Sequence, residues 1–201
     1  SNLIVDRVKP DTDIKARVVG EAKAARAWAM TELISLWGAV PFADHVLGAD
    51  EYQLPNGDIP TMWAWVEQNL TEAAAVLPSK SGINGQQAIG ARLTKEAALA
   101  FLGKAQIFQE KYAEAATSLK SVINSNKYDL VADFSQLLRS ANDFGPENIF
   151  ESNAINDPDN AWSQGTMLFS LMINWRSDHL TGMPEGIWNT GWGFFNPTKS
   201  L

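Results

Sequence analysis

The chain has 201 residues, 45% of them hydrophobic, with a formal net charge of -7 and a pI near 4.8. That length suits one domain with a sizeable core, and the acidic balance argues against nucleic acid or an anionic membrane surface as the main partner. There is no cysteine, which excludes disulfides and thiolate metal sites. No apolar run is long enough to span a bilayer and no signal peptide opens the chain. It begins Ser1-Asn2 without Met, which reads as an expression remnant or a processed end. Tryptophan is over-represented, with eight residues, four of them in 162–201.

Ser1 to Pro10 reads as an extended lead-in, with Pro10 and Asp11 as start signals. A long helix is predicted from Asp13 to Trp37, its small-residue face marked by Ala22, Ala25, Arg26, Ala29, Leu33 and Leu36. Gly38 ends it and Pro41 blocks continuation. Phe42 to Asn56 reads as a loop. Asp58 or Thr61 then opens a helix to about Leu77, with Trp63, Val66, Leu70, Ala73, Ala74 and Leu77 as its buried stripe and Pro78 as its stop. Ser79 to Gly90 is a polar, Gly-rich loop.

The clearest pattern runs from Arg92 to Leu130. One helix is predicted over Thr94–Gln109, capped by Thr94, with Ala97, Ala100, Phe101, Lys104, Ala105 and Phe108 in the helical rhythm. A second covers Tyr112–Asn124, with Ala115, Ala116, Leu119, Val122 and Ile123 on one stripe. Only Glu110 and Lys111 remain for the bend, so the two must fold back antiparallel. Leu99, Leu102, Gly103, Ala115, Leu119 and Val122 fall at the spacing of a tetratricopeptide repeat. Gly inside a helix costs roughly 1 kcal/mol relative to Ala, and a close helix contact at Gly103 is the natural compensation. Such a hairpin cannot bury its own face, so neighbouring helices are expected to complete a solenoid.

Beyond Leu130 the texture changes. Asp133–Arg139 suggests a short helix, and Glu147–Ala154 a short strand or extended segment. Ile155 to Leu201 has no helical period. The expectation is a single, mainly α domain of tetratricopeptide-like hairpins forming an α-α superhelix, with a long irregular C-terminal segment. Residues 1–130 would be the repeat scaffold and 131–201 a loop-rich ligand-binding segment.

Several short motifs then align with one family. Gly20-Glu21-Ala22-Lys23-Ala24-Ala25-Arg26-Ala27 resembles the G-E-A-x-x-x-R-A signature of SusD/RagB proteins, and Leu36-Trp37-Gly38-Ala39-Val40-Pro41-Phe42 resembles the aromatic-G-x-V-P after it. Asn69-Leu70 to Leu77-Pro78 is similar to D-L-x-x-A…L-P, with Asn69 replacing the usual Asp. Arg92-Leu93-Thr94-Lys95-Glu96-Ala97-Ala98 resembles R-x-T-x-x-A-A, Glu147-Asn148-Ile149-Phe150-Glu151 resembles E-x-I-F, and Gly191-Trp192-Gly193 with Pro197-Thr198 resembles G-W-G…P-T. The matches keep the family's order over almost the whole chain. The resemblance implies a helical tetratricopeptide scaffold and a surface lipoprotein of the outer membrane. Such a protein captures oligosaccharide or polysaccharide and passes it to a TonB-dependent, SusC-like transporter. It also implies an internal stretch of such a protein, with the lipid-bearing cysteine, the first helices and the C-terminal part outside it. Membrane attachment would then come only through a lipid anchor not in this chain.

Sugar recognition needs flat apolar surfaces for the C–H faces of a pyranose and planar polar groups at its edge. The tail has this mixture: Trp162, Trp175 beside Arg176 and Asp178, Trp188 beside Asn189, and Trp192. For any single one of these tryptophans the favoured reading is core that packs loops onto helices, while for the set the favoured reading leaves at least one exposed for ligand. Trp28, Trp37, Trp63 and Trp65 sit on or at the ends of helices and read mostly as structural, with Trp65 off the buried stripe. Glu21 and Arg26 read as an interhelical pair or backbone contacts. Asp157-Pro158-Asp159-Asn160 lacks the Gly and terminal Glu of a calcium loop and reads as a turn. His45 and His179 are far apart in sequence, and no zinc-protease, nucleophile-elbow or phosphate-binding motif is present. Asp178 and Glu185 form the best carboxylate pair for glycosidase chemistry, but no motif supports them. The reading is a non-enzymatic glycan-binding component needing no cofactor. The alternative is a repeat scaffold that docks a peptide or protein.

Overall fold

The computed structural model describes residues 1–83, 85 and 91–152. Among these residues five α-helices and two 3-10 turns appear, and no strand beyond an isolated antiparallel bridge between Pro41 and Asn56. The fold is mainly α, as the hydrophobic spacing requires.

The helices are α1 (Asn2–Arg7), α2 (Asp13–Trp37), α3 (Ile59–Val76), α4 (Lys95–Phe108) and α5 (Tyr112–Ile123). α1 corrects the extended reading of the first ten residues. Polar anchoring to the loop after α2 holds this short helix: Asn2 Nδ2 donates to the carbonyls of Ala43 at 3.0 Å and His45 at 2.9 Å, and the Val46 amide donates to Asp6 at 2.8 Å. An isolated six-residue helix would not hold by itself.

Each longer helix has a readable start. Thr12 caps α2 through the Lys15 amide, and Asp58 caps α3 through the Thr61 amide, settling the choice between Asp58 and Thr61. Thr94 caps α4 through the Ala97 amide. In each case a side-chain oxygen satisfies an otherwise orphaned N–H. α2 ends at Gly38, whose φ of +69° a residue with a Cβ adopts only with strain. The α4–α5 turn passes through Glu110 at φ +61°.

α3 is the central element and packs against both α2 and α4, while α4 pairs with α5. Its predicted stripe is buried in full: Trp63, Val66, Leu70, Ala73, Ala74 and Leu77. On α2 the expected face is rotated. Ala22 is buried, but the core-facing row is Gly20, Ala24, Ala27, Thr31 and Ile34, while Ala29, Leu33 and Leu36 face outward. Alanines surround this helix on all sides, so spacing alone could not choose its inner face. On α4 the inner row is Ala97, Ala98, Leu102 and Ala105, with Phe108 exposed. On α5, Ala115 and Val122 are buried, while Ala116 and Ile123 are exposed.

The small residues act where the helices touch. A Cβ on Gly103 would stand 2.6 Å from Cγ and Cδ2 of Leu119 on α5, so only glycine permits this spacing without displacement. A Cβ on Gly20 would stand 2.6 Å from Val76 Cγ2 at the end of α3. The repeat-like small-residue pattern is therefore packing made visible in the sequence.

The 131–152 stretch differs in detail from its prediction. The short helix is replaced by two 3-10 turns, Phe134–Gln136 and Ser140–Asn142. The described part of Glu147–Ala154, up to Ser152, forms turns and irregular backbone with no strand pairing. Side chains hold it: the Val131 amide donates to Glu147 and the Phe144 amide to Glu151.

Candidate functional site

The motif residues turn out to be the braces of the scaffold. Arg26 on α2 donates from Nε to Asn69 Oδ1 on α3 at 2.8 Å, and from Nη1 to Asn2 Oδ1 and to the Asp44 carbonyl. Asn69, itself buried, donates to the Trp65 carbonyl. The Arg26 guanidinium lies 4.7 Å from the Trp65 ring centroid. Burial pulls the Arg26 pKa down, and Asp6, Asp44 and Glu72 oppose that. Trp65, read as off the stripe, is in fact half-buried against the core, edge-on to Phe42 with centroids 5.4 Å apart. Glu96 is also inside: it accepts from the Ser79 hydroxyl and the Lys80 amide, tying the loop after α3 to α4. Lys80 is only 1% exposed, with its ammonium 4.2 Å from the Tyr128 ring centroid. Burial pulls the Lys80 pKa down, opposed by Glu96.

The outward face of α2 is organised differently. Glu21, Ala25, Trp28 and Glu32 follow one another at steps of four, three and four residues, so they share one stripe. Glu21 takes a bidentate contact from Arg92, at 2.9 Å from Nε and 2.8 Å from Nη2, and a third from Arg17 Nε at 3.1 Å. The Glu21 contact raises the Arg92 pKa. At the other end Lys104 of α4 donates to Glu32 Oε1 at 2.6 Å. Between the two ion pairs stands Trp28, 43% exposed, with its ring centroid 6.3 Å from that of Phe101. Phe101 in turn meets Phe150 edge-on at 5.8 Å.

A cleft of about 590 Å³ opens beside this stripe, lined by Glu21, Ala22, Ala25, Arg92, Leu93 and Phe150 among others. That volume is in the range of small-ligand sites, about 300–1,000 Å³. Ala25 keeps the floor low between Glu21 and Trp28. The chemistry offered by the cleft is the Glu21 carboxylate, the Arg92 guanidinium and the Phe150 ring among apolar side chains.

The residues expected from the sequence to touch ligand, Trp162, Trp175, Arg176, Asp178, Trp188, Asn189 and Trp192, lie outside the described residues, as do Asp157–Asn160, His179 and Glu185. Trp28, read as structural from its place on the helix, is 43% exposed, and Glu21, read as an ion-pair or backbone-contact residue, is paired with Arg92 and Arg17. Among the described residues no group of three or more His, Asp or Glu side chains is placed to hold a metal. None of the described helices is long and apolar enough to cross a membrane.

Comparison with known folds now has a geometry to refer to. A SusD-like carbohydrate-binding protein from Bacteroides fragilis aligns over 72% of this chain and 28% of its own, at 27% identity and a TM-score of 0.66. A laminarin-binding SusD-like protein aligns over 96% of this chain and 44% of its own, at 25% identity and a TM-score of 0.78. The fold is SusD-like. A surface glycan-binding protein from Bacteroides fluxus has the same fold at 22% identity and a TM-score of 0.73, over 94% of this chain and 40% of its own. No family profile and no curated protein matches the sequence. The chain thus spans between 28% and 44% of the length of these structural neighbours.

Proposed function

We propose that this SusD-like chain belongs to the glycan-binding component of an outer-membrane polysaccharide uptake system. Its partner would be a TonB-dependent, SusC-like transporter, to which it hands oligosaccharides, and its place the outer face of the outer membrane. The observation that carries the reading is the likeness to SusD-like proteins described as binding carbohydrate and laminarin, at 27% and 25% identity. Binding is non-covalent and calls for no cofactor and no catalytic residue. The tail supports the reading through its composition: Trp162, Trp175, Trp188 and Trp192 supply stacking faces, and Arg176, Asp178 and Asn189 supply hydrogen bonds.

The test is retardation of the chain in native gels containing soluble polysaccharides. Slowed migration in at least one glycan is the expected result. Unchanged migration across a broad panel would count decisively against glycan capture. A second reading, a scaffold that docks protein, is favoured by one feature: Leu36 and Trp37 at the end of α2 are 68% and 66% exposed. Exposed apolar side chains of this size mark interaction surfaces when they cluster. Co-migration with a purified transporter, lost on Trp37→Ser, would support the docking role.

A further inference from the structure

Residues 127–148 follow α5 and meet the scaffold beside Thr94, at the start of α4, and Lys80, in the loop after α3. We infer that this stretch is a strap that opens and closes on the helical scaffold as one unit, with the buried ammonium of Lys80 as its latch. The inference concerns a motion of the scaffold and stands whether or not the chain binds glycan.

Three observations carry it. First, the stretch is stitched to itself. The Asp129 amide donates to the Pro146 carbonyl at 3.3 Å and the Val131 amide to Glu147 at 2.9 Å, which closes the neck. Inside the loop Asn142 Nδ2 donates to the Gln136 carbonyl at 2.7 Å, and the Gly145 amide to the Asn142 carbonyl at 2.8 Å. A loop with closed ends and its own internal bonds keeps its shape when it moves. Second, it is tied to the scaffold loosely. Among the described residues its hydrogen bonds to the scaffold run from Lys80 Nζ to the Gly145 carbonyl, from Lys127 Nζ to the Ser81 carbonyl, and between the Tyr128 hydroxyl and Thr94 Oγ1, each 3.5 Å long. Contacts of that length are weak. Third, no apolar anchor replaces them. None of residues 127–148 belongs to the apolar core or to the half-buried side chains packed on it, which resume at Ile149. Leu130, Phe134 and Leu138 are instead 78%, 84% and 95% exposed. A unit bonded well within itself and poorly to its support opens at a lower free energy than the helices beneath it.

Lys80 decides where the strap is held. The residue is 1% exposed, and its ammonium lies 4.2 Å from the Tyr128 ring centroid as well as reaching Gly145, so it grips both ends of the strap. A cation over an aromatic face is attracted to the ring, more strongly once water is excluded. The grip is incomplete, because an ammonium has three donors and this one has a single long carbonyl contact. Opening lets water satisfy the others, which offsets part of the lost attraction. The same burial is what lowers the Lys80 pKa. Closed, the strap also sets the Tyr128 hydroxyl against Thr94, the buried cap of α4. The latch thus joins the seating of the strap to the entrance of the α4–α5 hairpin.

The experiment reads opening through the Lys80 amine itself, with sulfosuccinimidyl acetate as the probe and mass spectrometry of the digested chain as the readout. Exposed Lys95 and Lys120 supply the rate of an accessible amine. Wild type, Tyr128→Leu and Lys127→Met are compared at urea concentrations below the unfolding transition. In wild type Lys80 is expected to react more slowly than Lys95 and Lys120. Its rate should rise with urea far less steeply than global unfolding does, because opening a strap exposes little surface. Tyr128→Leu is expected to speed Lys80 acetylation by about tenfold, and Lys127→Met severalfold. The urea midpoint of the helices should move little in either. If Tyr128→Leu does not fold, the urea slope of wild type and the rate in Lys127→Met still decide. A Lys80 rate that carries the full urea slope of global unfolding would overturn the strap, as would a rate equal to that of Lys95. A rate unchanged by Tyr128→Leu, or by Lys127→Met where the former does not fold, would overturn the latch.

Discussion

The α4–α5 and α2–α3 pairs are held by different means. α4 and α5 are joined by a turn of three residues, Gln109 to Lys111, and touch through Gly103 and Leu119. Their turn and their closest contact lie within thirty positions of sequence, and Lys111 of the turn is also paired with Glu67 of α3. α2 and α3 are separated by residues 38–58, and their alignment is cross-braced by Arg26, Asn69, Asn2 and the Asp44 carbonyl. The first pair is a local problem that small side chains solve. The second needs polar groups from four distant places, because a long loop by itself leaves the helix angle free.

The largest effect should come from breaking the local pair. Gly103→Val forces a side chain into Leu119 and is expected to cost about 3 kcal/mol, at the upper end of overpacking losses. It would be read as a lower urea midpoint at unchanged slope. Adding Leu119→Ala should return part of that loss, since the two substitutions share one volume. A full, additive loss in the double variant would show that the close contact is not what glycine serves.

Arg26→Met attacks the other pair. It strips the buried Asn69 of a partner and releases α1 and the loop, for an expected cost of about 1–3 kcal/mol. Asn2→Ala on top of it should cost less than Asn2→Ala alone, because the Arg26 contact is already gone and only the bonds to the Ala43 and His45 carbonyls remain to be lost. Independent, additive losses would mean that the brace is not a unit.

Thr94→Ala should cost about 1 kcal/mol through the lost cap of α4, again by urea unfolding. It probes the local pair at its entrance, and a loss smaller than that of Arg26→Met would sharpen the contrast.

The smallest effect concerns the loop that α1 holds. His45 contacts Asp44 through Nδ1 at 2.7 Å and Glu51 through Nε2 at 3.2 Å, and these contacts, Asp44 first, raise its pKa above 6.5. Protonated His45 favours the folded loop. Its contribution is therefore fully present below pH 6.5 and fades as pH rises through the raised value. Proton NMR should give a ring titration midpoint above 6.5 that falls toward 6.5 in Asp44→Asn. A midpoint untouched by that change would remove Asp44 from the account.

Much of the scaffold was legible without coordinates. The α2 limits, the Thr94 cap, the buried stripe of α3 and the contact at Gly103 followed from helical rhythm, capping chemistry and an unfavourable helical glycine. These are short-range signals, and the chain expresses them wherever it folds. The inner face of α2 was not legible, because alanines encircle it and only α3 decides which row is covered. α1 was missed for the same reason: its hydrogen bonds go to residues about forty positions away. The stripe on α2 was half legible, since spacing aligned Glu21, Trp28 and Glu32, while the cations that pair with them come from Arg92 and Lys104.

The sequence by itself determined where the long helices run and which residues let them approach, because both depend on neighbours a few positions apart. The tertiary structure alone decided which side of each helix meets solvent, and so left Trp28 43% exposed beside Phe101. Exposure is a property of what packs nearby, and for α2 those neighbours are α3, α4 and the segment around Phe150.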